Sequence, residues 1–451
     1  MTHDTELSKL GVYDARAPRY TSYPTAVHFG NQIGPDFTKN QLQNLPIKQA
    51  VSLYIHIPFC ERLCWFCACR TQGTKSASPI TAYLDTLVKE ITMISDELPK
   101  GVKVAKIHWG GGTPTILSPD QIHRLATTLQ DAIPQTKDVE FSVEIDPTLI
   151  DPEKIKALVE TGMSRASIGV QDFAIEVQKA IGRQQSYETT KQCVQLLRDA
   201  NINSLNMDIL YGLPHQTKES VLKTIDMVSS LSPDRIALYG YAHVPWMATR
   251  QKLINENDLP DGKTRRHLFN LMAAKLEKSN YTPIGIDHFA KANDPMAIAK
   301  NNGKLRRNFQ GYTTDEQDFL IGIGASAISK YPNGYVQNIA KSSNYSRAVH
   351  DGKFPSYRGV EMTKQDHLIA RVIEMILCDF EVDYSKLTDE YEIDLKPVME
   401  PMFELQKRFS NVVQITQDGF KIIRYKRELA RIIAQLFDKY DQTKARYSSV
   451  S

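Results

Sequence analysis

The chain is poor in cysteine, with six in 451 residues, and two of the six, Cys193 and Cys378, stand far from any other. So few and so unevenly placed thiols do not form a disulfide framework, and we expect a reducing compartment, the cytoplasm, to keep them as thiols. We interpret Cys193 and Cys378 as small core residues. The other four cysteines fall within HIPFCERLCWFCACR (56–70). This cluster therefore points to metal or redox chemistry.

Long apolar runs and a strong excess of one charge are also missing. The sequence has no apolar stretch of about eighteen residues, the length that spans a membrane. The N-terminal MTHDTELSKLGVYDARAPRY lacks the apolar core of a signal peptide. Lys and Arg number 55 against 52 Asp and Glu, a net charge of +3. We therefore expect neither a membrane nor nucleic acid as a partner, and the length permits a large catalytic domain with one or two smaller ones.

The spacing within the cysteine cluster narrows its chemistry. Cys60, Cys64 and Cys67 read C-x3-C-x2-C, and Cys69 follows after one residue. Structural zinc sites usually take their ligands as two separated pairs, which this single tight loop fits poorly. Thiolates also bind iron–sulfur clusters, and a cluster held by three cysteines leaves one iron open to another ligand. The spacing resembles the signature of radical S-adenosylmethionine enzymes, and Phe66 in the last gap fits that family.

Strand-like and helix-like segments alternate around and after this loop. Helical spacing and a Ser cap predict helices over 79–98 and 118–133. Short apolar segments predict strands over 52–57, 103–109, 140–145, 165–170, 204–210 and 235–241. This alternation predicts parallel pairing in a barrel-like or doubly wound α/β core, with chemistry in the loops that follow the strands.

Polar and glycine residues do follow these strands. In GGGTPT (110–115), the glycines let the backbone approach a ligand, and we expect exposed N–H groups able to bind a carboxylate or ribose. No Lys-Ser or Lys-Thr follows, which argues against nucleoside triphosphate binding. Glu144, Gln171 and Asp208 come at or near the ends of successive strands. One such acid is more often a cap or an ion-pair partner, but their recurrence favours a site.

The sequence resembles the oxygen-independent coproporphyrinogen III oxidases (dehydrogenases), radical S-adenosylmethionine enzymes of bacterial haem biosynthesis. The matching blocks are PRYTSYPTA (18–26), YIHIPFC (54–60), the cysteine motif, HWGGGTPT (108–115), VEIDP (143–147), IGVQDF (168–173), DILYGLPHQT (208–217), YAHVP (241–245), IGIDHFA (284–290), RRNFQGYTT (306–314) and GIGASAIS (322–329). Their shared order along nearly the whole chain makes an accidental match implausible.

The resemblance implies an α/β fold, a partial TIM-like radical S-adenosylmethionine barrel of parallel strands with a smaller, mostly helical C-terminal domain. We expect an N-terminal segment (1–50) packed near the active site, the barrel with an extension (51–355) and the C-terminal domain (356–451). In that domain the pattern predicts helices, a hairpin turning at Asp418-Gly419 and a final helix. The order resembles a winged helix, which leaves DNA binding as an alternative that we rank low because basic and acidic residues alternate there.

The resemblance also implies the cofactors and the residues that hold them. Cys60, Cys64 and Cys67 would bind a [4Fe-4S] cluster and, with Glu144, form the catalytic set. Two molecules of S-adenosylmethionine are implied, one on the cluster and one beside it. The first would contact Tyr54, Gly111, Glu144 and Ile328. The second would contact Phe66, Gly112, Thr113, Gln171, Arg183, Asp208 and Ala242. Sequence physics alone would place Ile328 and Ala242 in the core. Cys69 is expected to be a neighbour of the cluster, either packing beside the loop or tuning the second cofactor.

The implied reaction begins with one electron passing from the reduced cluster to the sulfonium, which yields a 5′-deoxyadenosyl radical. The radical abstracts hydrogen from a propionate side chain, carbon dioxide leaves and a vinyl group remains. Two such conversions turn coproporphyrinogen III into protoporphyrinogen IX. A one-electron reductant such as a flavodoxin or ferredoxin is needed, and we expect a monomer. A haem-binding chaperone and another tetrapyrrole-acting radical enzyme stay open as rivals.

The substrate implied by the resemblance carries four carboxylates, so its pocket needs cations. Arg19, Arg306 and Arg307 are the candidates, although each could equally be an ordinary solvated arginine. His56 and His108 lie within strand patterns and are interpreted as hydrogen-bonded core residues. His288 lies in a matching block, and its role is left open.

Overall fold

The computed structural model describes residues 7–391, 394–440, 447–448 and 450. The strands are β1 (Ala50–Ile57), β2 (Phe59–Cys60), β3 (Gln72–Gly73), β4 (Lys103–Gly111), β5 (Gln135–Ile145), β6 (Arg165–Gln171), β7 (Leu205–Tyr211), β8 (Arg235–Gly240), β9 (Tyr281–Ile284), β10 (His288–Lys291), β11 (Arg306–Asn308), β12 (Gly311–Thr313), β13 (Leu320–Ile323), β14 (Ile328–Tyr331), β15 (Gly334–Asn338), β16 (Ser356–Glu361), β17 (Glu381–Asp383), β18 (Val413–Thr416) and β19 (Gly419–Ile422).

Helices connect most of the parallel strands and form much of the C-terminal region. They are α1 (Pro35–Gln43), α2 (Ala77–Glu97), α3 (Pro119–Ala132), α4 (Pro152–Glu160), α5 (Ile175–Ala180), α6 (Tyr187–Asp199), α7 (Lys218–Ser230), α8 (Gly262–Lys278), α9 (Pro295–Asn301), α10 (Ser342–His350), α11 (Lys364–Cys378), α12 (Tyr384–Glu390), α13 (Lys396–Met399), α14 (Met402–Phe409) and α15 (Ala430–Phe437). In the part of the chain so described, no helix has the length and apolar character needed to cross a membrane.

The central sheet is mainly parallel and open, which confirms the predicted partial barrel. Strands β1, β4, β5, β6, β7 and β8 lie side by side in parallel, and β13 pairs in parallel with β1 at the other side. Antiparallel strands extend both edges, β14 to β16 beyond β13 and β10 with β9 beyond β8. All six strands predicted from the apolar pattern are present within a few residues of their predicted ends.

The helices bury an apolar face against this sheet, as α3 illustrates. Its predicted Ser cap is present: Ser118 Oγ accepts a hydrogen bond from the Gln121 backbone N–H at 3.3 Å, and Gln121 Oε1 accepts one from the Ser118 N–H at 3.0 Å. This reciprocal pair satisfies two N–H groups that the helix start leaves open. Leu125 and Leu129, one turn apart, are buried in the main core. Burial of such a stripe fixes the helix on the sheet.

A second hydrophobic cluster joins the C-terminal region to the N-terminal segment. It contains residues of α11, α14 and α15 together with Leu7, Val12, Tyr20 and Tyr23. The predicted hairpin is β18–β19, and β17 adds a third strand that the sequence pattern had not indicated. The predicted turn position is wrong by one residue, because Thr416 pairs with Gly419 and leaves Gln417 and Asp418 as the turn. Gly419 instead begins β19, at φ +145°.

The pairing of β16 bears on where the C-terminal domain starts. Residues 356–361 pair with β15 and so complete the main sheet. We therefore propose a boundary after Glu361 in place of the expected one at 356. The described part of the N-terminal segment divides between two cores, since Leu42 and Leu45 pack with the barrel while Leu7 and Val12 pack with the C-terminal domain.

Candidate functional site

A cavity of about 530 Å³ lies against the parallel strands and the cysteine loop. Five of the residues predicted from the sequence to bind cofactor line it, namely Tyr54, Gly111, Glu144, Asp208 and Ile328. The strand register explains part of this convergence. Tyr54 lies opposite His108 in the neighbouring strand, and His108 lies opposite Ser142 in the next. Residues in such a row share one face of the sheet, so their polar side chains meet in the same space.

Strand β1 leads directly into the cysteine loop, which is held at both ends. Phe59 and Cys60 pair with Gln72 and Gly73, so the loop starts and finishes in one short ladder. Within it, the Trp65 N–H donates to the Ile181 carbonyl at 2.9 Å. Cys64 is buried, Cys60 and Cys67 are half-buried, and Cys69 is exposed within the cavity. The loop therefore presents its thiols in a fixed arrangement at the cavity wall.

Hydrogen-bond donors lie against the sulfur atoms. Thr113 Oγ1 donates to Cys60 Sγ at 3.5 Å, and Arg183 Nη1 donates to Cys64 Sγ at 3.5 Å. A hydrogen bond from Cys69 lowers the pKa of Cys67 below its ordinary value, while burial raises the pKa of Cys60 to about 11. Donors of this kind stabilise the negative charge of thiolates bound to iron and tune the cluster.

The donor set fits an iron–sulfur cluster better than a single ion. Within residues 7–391, 394–440, 447–448 and 450, no three His, Cys, Asp or Glu side chains converge closely enough to hold one metal ion. Single zinc ions need such tetrahedral convergence. A [4Fe-4S] cluster instead takes each thiolate on a different iron, which spaces the ligands apart. Cys60, Cys64 and Cys67 would hold such a cluster, and three thiolates would leave one of its irons without a protein ligand.

The glycine run after β4 serves the cysteine loop in a way that the sequence did not indicate. The Gly112 N–H donates to Ile57 O at 2.7 Å and the Thr113 N–H to Phe59 O at 2.9 Å. The Gly111 N–H donates to Glu144 Oε2 at 3.1 Å. The expectation of exposed N–H groups is therefore wrong at these three positions, because Gly112 and Thr113 hold the start of the loop and Gly111 holds Glu144. A Cβ at Gly112 would lie 2.6 Å from Phe59 O, so no side chain fits there.

Glu144 is the acid at the centre of the cavity wall. It accepts hydrogen bonds from Gly111 N–H and from His108 Nε2, the latter at 3.3 Å. Burial alone would raise the pKa of Glu144, but the hydrogen bonds from His108 and Gly111 outweigh burial and lower it. Glu144 is therefore an anion at neutral pH, suited to accept from an ammonium or ribose hydroxyl. His108 Nδ1 also contacts Ser142 Oγ at 2.6 Å.

The two strand histidines are hydrogen-bonded, as expected, and both line the cavity. His56 Nδ1 contacts the Tyr54 hydroxyl at 3.0 Å, and its Nε2 contacts the Arg70 carbonyl at 3.1 Å. His288 is buried, lies 2.7 Å from Asp287 Oδ1 and 3.2 Å from the Tyr239 hydroxyl, and also lines the cavity. The interpretation of His56 and His108 as core residues is thus incomplete. Side chains that point into a barrel can pack in its interior and also line a cavity there.

Asp208 and Gln171 lie in adjacent strands, Asp208 in the middle of β7 and Gln171 at the end of β6. Burial, then the charge of Glu144, raise the pKa of Asp208 to about 6, and Asn206 Nδ2 donates to Asp208 at 2.8 Å. Gln171 has φ +71° and sits at a register shift beside Asp208, whose partner in β6 is Gly169. Positive φ in a residue with a side chain is strained and is often found at functional sites.

The other residues predicted to contact a second cofactor surround the cysteine loop. Besides Cys64, Arg183 pairs with Asp146 at 3.5 Å and donates to Gly169 O at 2.9 Å. Phe66 and Ala242 are linked by Gln251, whose Nε2 donates to both carbonyls at 2.7 and 3.1 Å.

Gln251 was missed by the sequence reasoning. Its surroundings, ATRQKL (248–253), read as a solvated stretch, yet its side chain is fully buried.

The candidate substrate arginines differ sharply in their surroundings. Arg306 pairs with Glu374 at 3.0 Å. Arg19 donates to the Gly240 carbonyl at 2.6 Å, and Arg307 donates to the Arg19 carbonyl at 3.2 Å. Arg306 and Arg307 line a second cavity of about 710 Å³, which shares Asn308, Phe309, Thr313, Asp315 and Leu320 with the first. The isolated Cys193 and Cys378 are buried, as expected for core residues.

Known proteins resemble this chain over its whole length. The model of the radical SAM superfamily matches residues 54–228. Coproporphyrinogen III oxidase, anaerobic 1, of Cereibacter sphaeroides is 51% identical over 452 residues, covering 100% of both chains. An oxygen-independent coproporphyrinogen III oxidase of Paracoccus denitrificans is 45% identical, with 100% of both chains covered. The structure of coproporphyrinogen III oxidase from Escherichia coli, a radical SAM enzyme, is similar with a TM-score of 0.90 at 35% identity, covering 94% of this chain and 98% of that one.

Proposed function

The chain belongs to the oxygen-independent coproporphyrinogen III oxidase family of radical SAM enzymes, and on that premise we propose the reaction that its site carries out. It oxidatively decarboxylates two propionate side chains of coproporphyrinogen III to vinyl groups, giving protoporphyrinogen IX in haem biosynthesis. One observation carries the proposal: a chain that matches coproporphyrinogen III oxidases over its full length places three spaced thiols beside a cavity lined by Tyr54, Glu144 and Asp208.

The cofactors are a [4Fe-4S] cluster and S-adenosylmethionine, which together supply the 5′-deoxyadenosyl radical when bound. Cys60, Cys64 and Cys67 hold the cluster. Glu144, with Tyr54, Gly111 and Ile328 around it, orients the S-adenosylmethionine on the cluster. The lowered pKa of Glu144 supports this role, because an anion there attracts the positive ammonium.

A second S-adenosylmethionine is placed by the remaining residues. Asp208 lines the cavity and accepts hydrogen bonds from polar ligand groups, while Phe66, Gly112, Thr113, Gln171, Arg183 and Ala242 shape the side near the cysteine loop. Arg183 and Thr113 also contact cysteine sulfurs. The same two side chains would therefore connect the second cofactor to the cluster ligands. Gln251 keeps Phe66 and Ala242 together and is a positioning residue.

Enclosure supports radical chemistry at this site. The cavity is bounded by the parallel strands, the cysteine loop and the antiparallel β14–β15 edge, through Ile328 and Gln337. Walls on these sides would reduce the water around a bound substrate and hold one propionate C–H bond near the radical. A one-electron reductant such as a flavodoxin or ferredoxin feeds the cluster. The enzyme acts as a monomer in the cytoplasm, a location supported by the unpaired state of all six cysteines.

The test is an anaerobic assay of reconstituted protein with coproporphyrinogen III, S-adenosylmethionine and a chemical reductant. Protoporphyrinogen IX should form together with methionine and 5′-deoxyadenosine. Stable haem binding without cleavage of S-adenosylmethionine would favour a haem chaperone. Cleavage supported only by a different tetrapyrrole would favour a related enzyme of other specificity. Either result would overturn the proposal.

A further inference from the structure

Three arginines from remote parts of the chain meet where the N-terminal segment lies on the barrel. Arg19 comes from the N-terminal segment, Arg307 from β11 and Arg431 from α15. Arg19 reaches the end of β8 at Gly240 O, and Arg307 Nη2 donates to the backbone carbonyl of Arg19. Arg431 Nε donates to Pro18 O at 3.1 Å, and its Nη2 donates to Ala17 O. The three guanidinium groups are thus linked through residues 17–19.

These cations have backbone carbonyls as partners and no carboxylate. Among the residues that the structure describes, none of the three forms an ion pair with an acid, whereas the neighbouring Arg306 pairs with Glu374. Asp287 is the carboxylate that acts electrostatically on Arg19, Arg307 and Arg431, but it is hydrogen-bonded to His288 at 2.7 Å. Burial, followed by the charge of Arg19, lowers the pKa of Arg431 to about 9, which indicates mutual repulsion.

Arg307 is also incompletely hydrogen-bonded. Its Nε and Nη1 atoms are buried and have no partner in the described part of the chain. Its guanidinium lies over the ring of Tyr312 at 4.5 Å, which fixes its plane. Leaving charged N–H groups buried without acceptors costs free energy, and an anionic acceptor placed beside them would offset that cost. Arg307 lines the second cavity, which adjoins the first.

From this arrangement we infer that Arg307, with Arg19 beside it, binds one carboxylate of the substrate outside the reacting propionate, and that Arg431 positions Arg19 for this purpose. The inference rests on the proposed function, since it requires a substrate with several carboxylates. The planar fork of arginine suits a carboxylate bound through two oxygens. The site orients the tetrapyrrole while another propionate faces the radical.

The test compares Arg307→Gln and Arg19→Gln with the matched control Arg124→Gln, whose arginine lies in α3 and forms an exposed pair with Asp85. KM for coproporphyrinogen III, iron content and cleavage of S-adenosylmethionine are measured for each reconstituted protein. Arg307→Gln should raise KM by at least about tenfold, the effect of one charge-assisted contact, and keep wild-type iron. Arg19→Gln should act in the same direction, and Arg124→Gln should stay within about twofold of wild type.

Binding without turnover separates this inference from the proposed reaction. The stable porphyrin coproporphyrin III, which keeps the four carboxylates, is titrated by fluorescence against its tetramethyl ester. Wild type should prefer the acid, and Arg307→Gln should lose most of that preference. An unchanged KM and preference in Arg307→Gln would overturn the inference even if wild type turns over. If Arg307→Gln loses iron or fails to fold, the same two measurements on Arg19→Gln decide, and unchanged values there overturn it.

Discussion

Cys69 differs from the three cysteines before it in the contacts of its side chain. It lines the cavity and hydrogen-bonds to Cys67, whereas Cys60 and Cys64 receive donors from Thr113 and Arg183. A fourth thiolate ligand would close the iron that S-adenosylmethionine must reach. Individual changes to Ala at positions 60, 64 and 67 should therefore abolish the visible absorption of the anaerobically reconstituted cluster, and Cys69→Ala should retain most of it. Failure of cluster assembly in the Cys69 variant alone would contradict this ligand set.

Asp208 provides a test of the proposed binding of a second S-adenosylmethionine. Its pKa is raised to about 6 by burial and by Glu144, so the carboxyl loses its charge as the pH falls through about 6. Turnover that needs the anion should fall on that acidic side. Asp208→Asn should keep the iron content and lower turnover by about tenfold or more, with this acidic limb absent from its pH profile. Loss of iron in Asp208→Asn would mean that Asp208 supports the cluster itself.

The sequence predicts a site residue correctly where its type and spacing indicate one chemistry. It fails where the hydrogen-bond partners of a residue lie far away in the chain. The cysteine motif could be identified from its spacing. Glu144 and Asp208 could be identified from their positions in the predicted strands. Gln251 and Arg431 could not be, since a buried glutamine and a buried arginine look solvated in sequence and gain their partners only from folding. The three N–H groups of Gly111, Gly112 and Thr113 were misjudged for the same reason, because their acceptors, Glu144, Ile57 and Phe59, lie in other strands.

At the scale of elements, a buried acid on α2 fixes the turn between β13 and β14. Glu90 is 1% exposed and accepts hydrogen bonds from the Gly324 N–H at 2.8 Å, from Asn338 Nδ2 at 2.8 Å and from the Tyr345 hydroxyl at 2.5 Å. The adjoining turn leads to Ile328 at the cavity. Glu90→Ala should leave these donors without an acceptor and destabilise the protein by about 3 kcal/mol, measured by urea unfolding.

The stability that Glu90 contributes should decrease as the pH rises. Burial raises the pKa of Glu90 to about 7 from an ordinary 4.5, so the folded state binds its proton more tightly than the unfolded state. The stability contributed by Glu90 is therefore largest below about pH 4.5 and declines as the pH rises to about 7. Relative to Glu90→Gln, wild type should lose up to about 1.4 kcal/mol per pH unit in that window. A constant difference between the two proteins from pH 5 to 8 would contradict the assignment.

The parallel elements were predictable because buried parallel strands are short continuous apolar segments between amphipathic helices. The antiparallel edges were harder, since β14 and β9 have only four residues each and contain Ser, Lys and Pro. Likewise β17, with three residues, carries too little pattern to be distinguished from a loop. Glu90 lies in a helix whose pattern predicts an amphipathic surface, and an acid in such a pattern is expected to be exposed. Its burial could not be predicted, because the turn that covers it lies more than two hundred residues later.

At the scale of the whole molecule, α11 joins the C-terminal domain to the barrel extension. Glu374 accepts hydrogen bonds from Arg306 Nη1 at 3.0 Å and from the Arg307 N–H at 3.1 Å, and the Tyr312 hydroxyl donates to Leu377 O at 2.7 Å. Cys378, at the end of α11, packs in the small core of the extension. The domain that resembles a winged helix thus supports β11, which carries Arg307. This contact favours a role within the enzyme over the DNA-binding alternative.

Because of these contacts, we expect the C-terminal domain and the barrel extension to unfold as one cooperative unit. Hydrogen exchange can test this expectation. Glu374→Gln removes the charge that holds Arg306 and the β11 backbone, so amides in 306–313 and 364–378 should both exchange faster, while those of β6 and β7 stay at wild-type rates. The matched control Glu381→Gln breaks an exposed pair with Lys421 and should change neither segment measurably. Because β11 carries Arg307, Glu374→Gln should also raise KM for coproporphyrinogen III without loss of iron. Faster exchange confined to 364–378, with β11 and KM unchanged, would mean that the C-terminal domain is a separate unit and that the position of Arg307 does not depend on it.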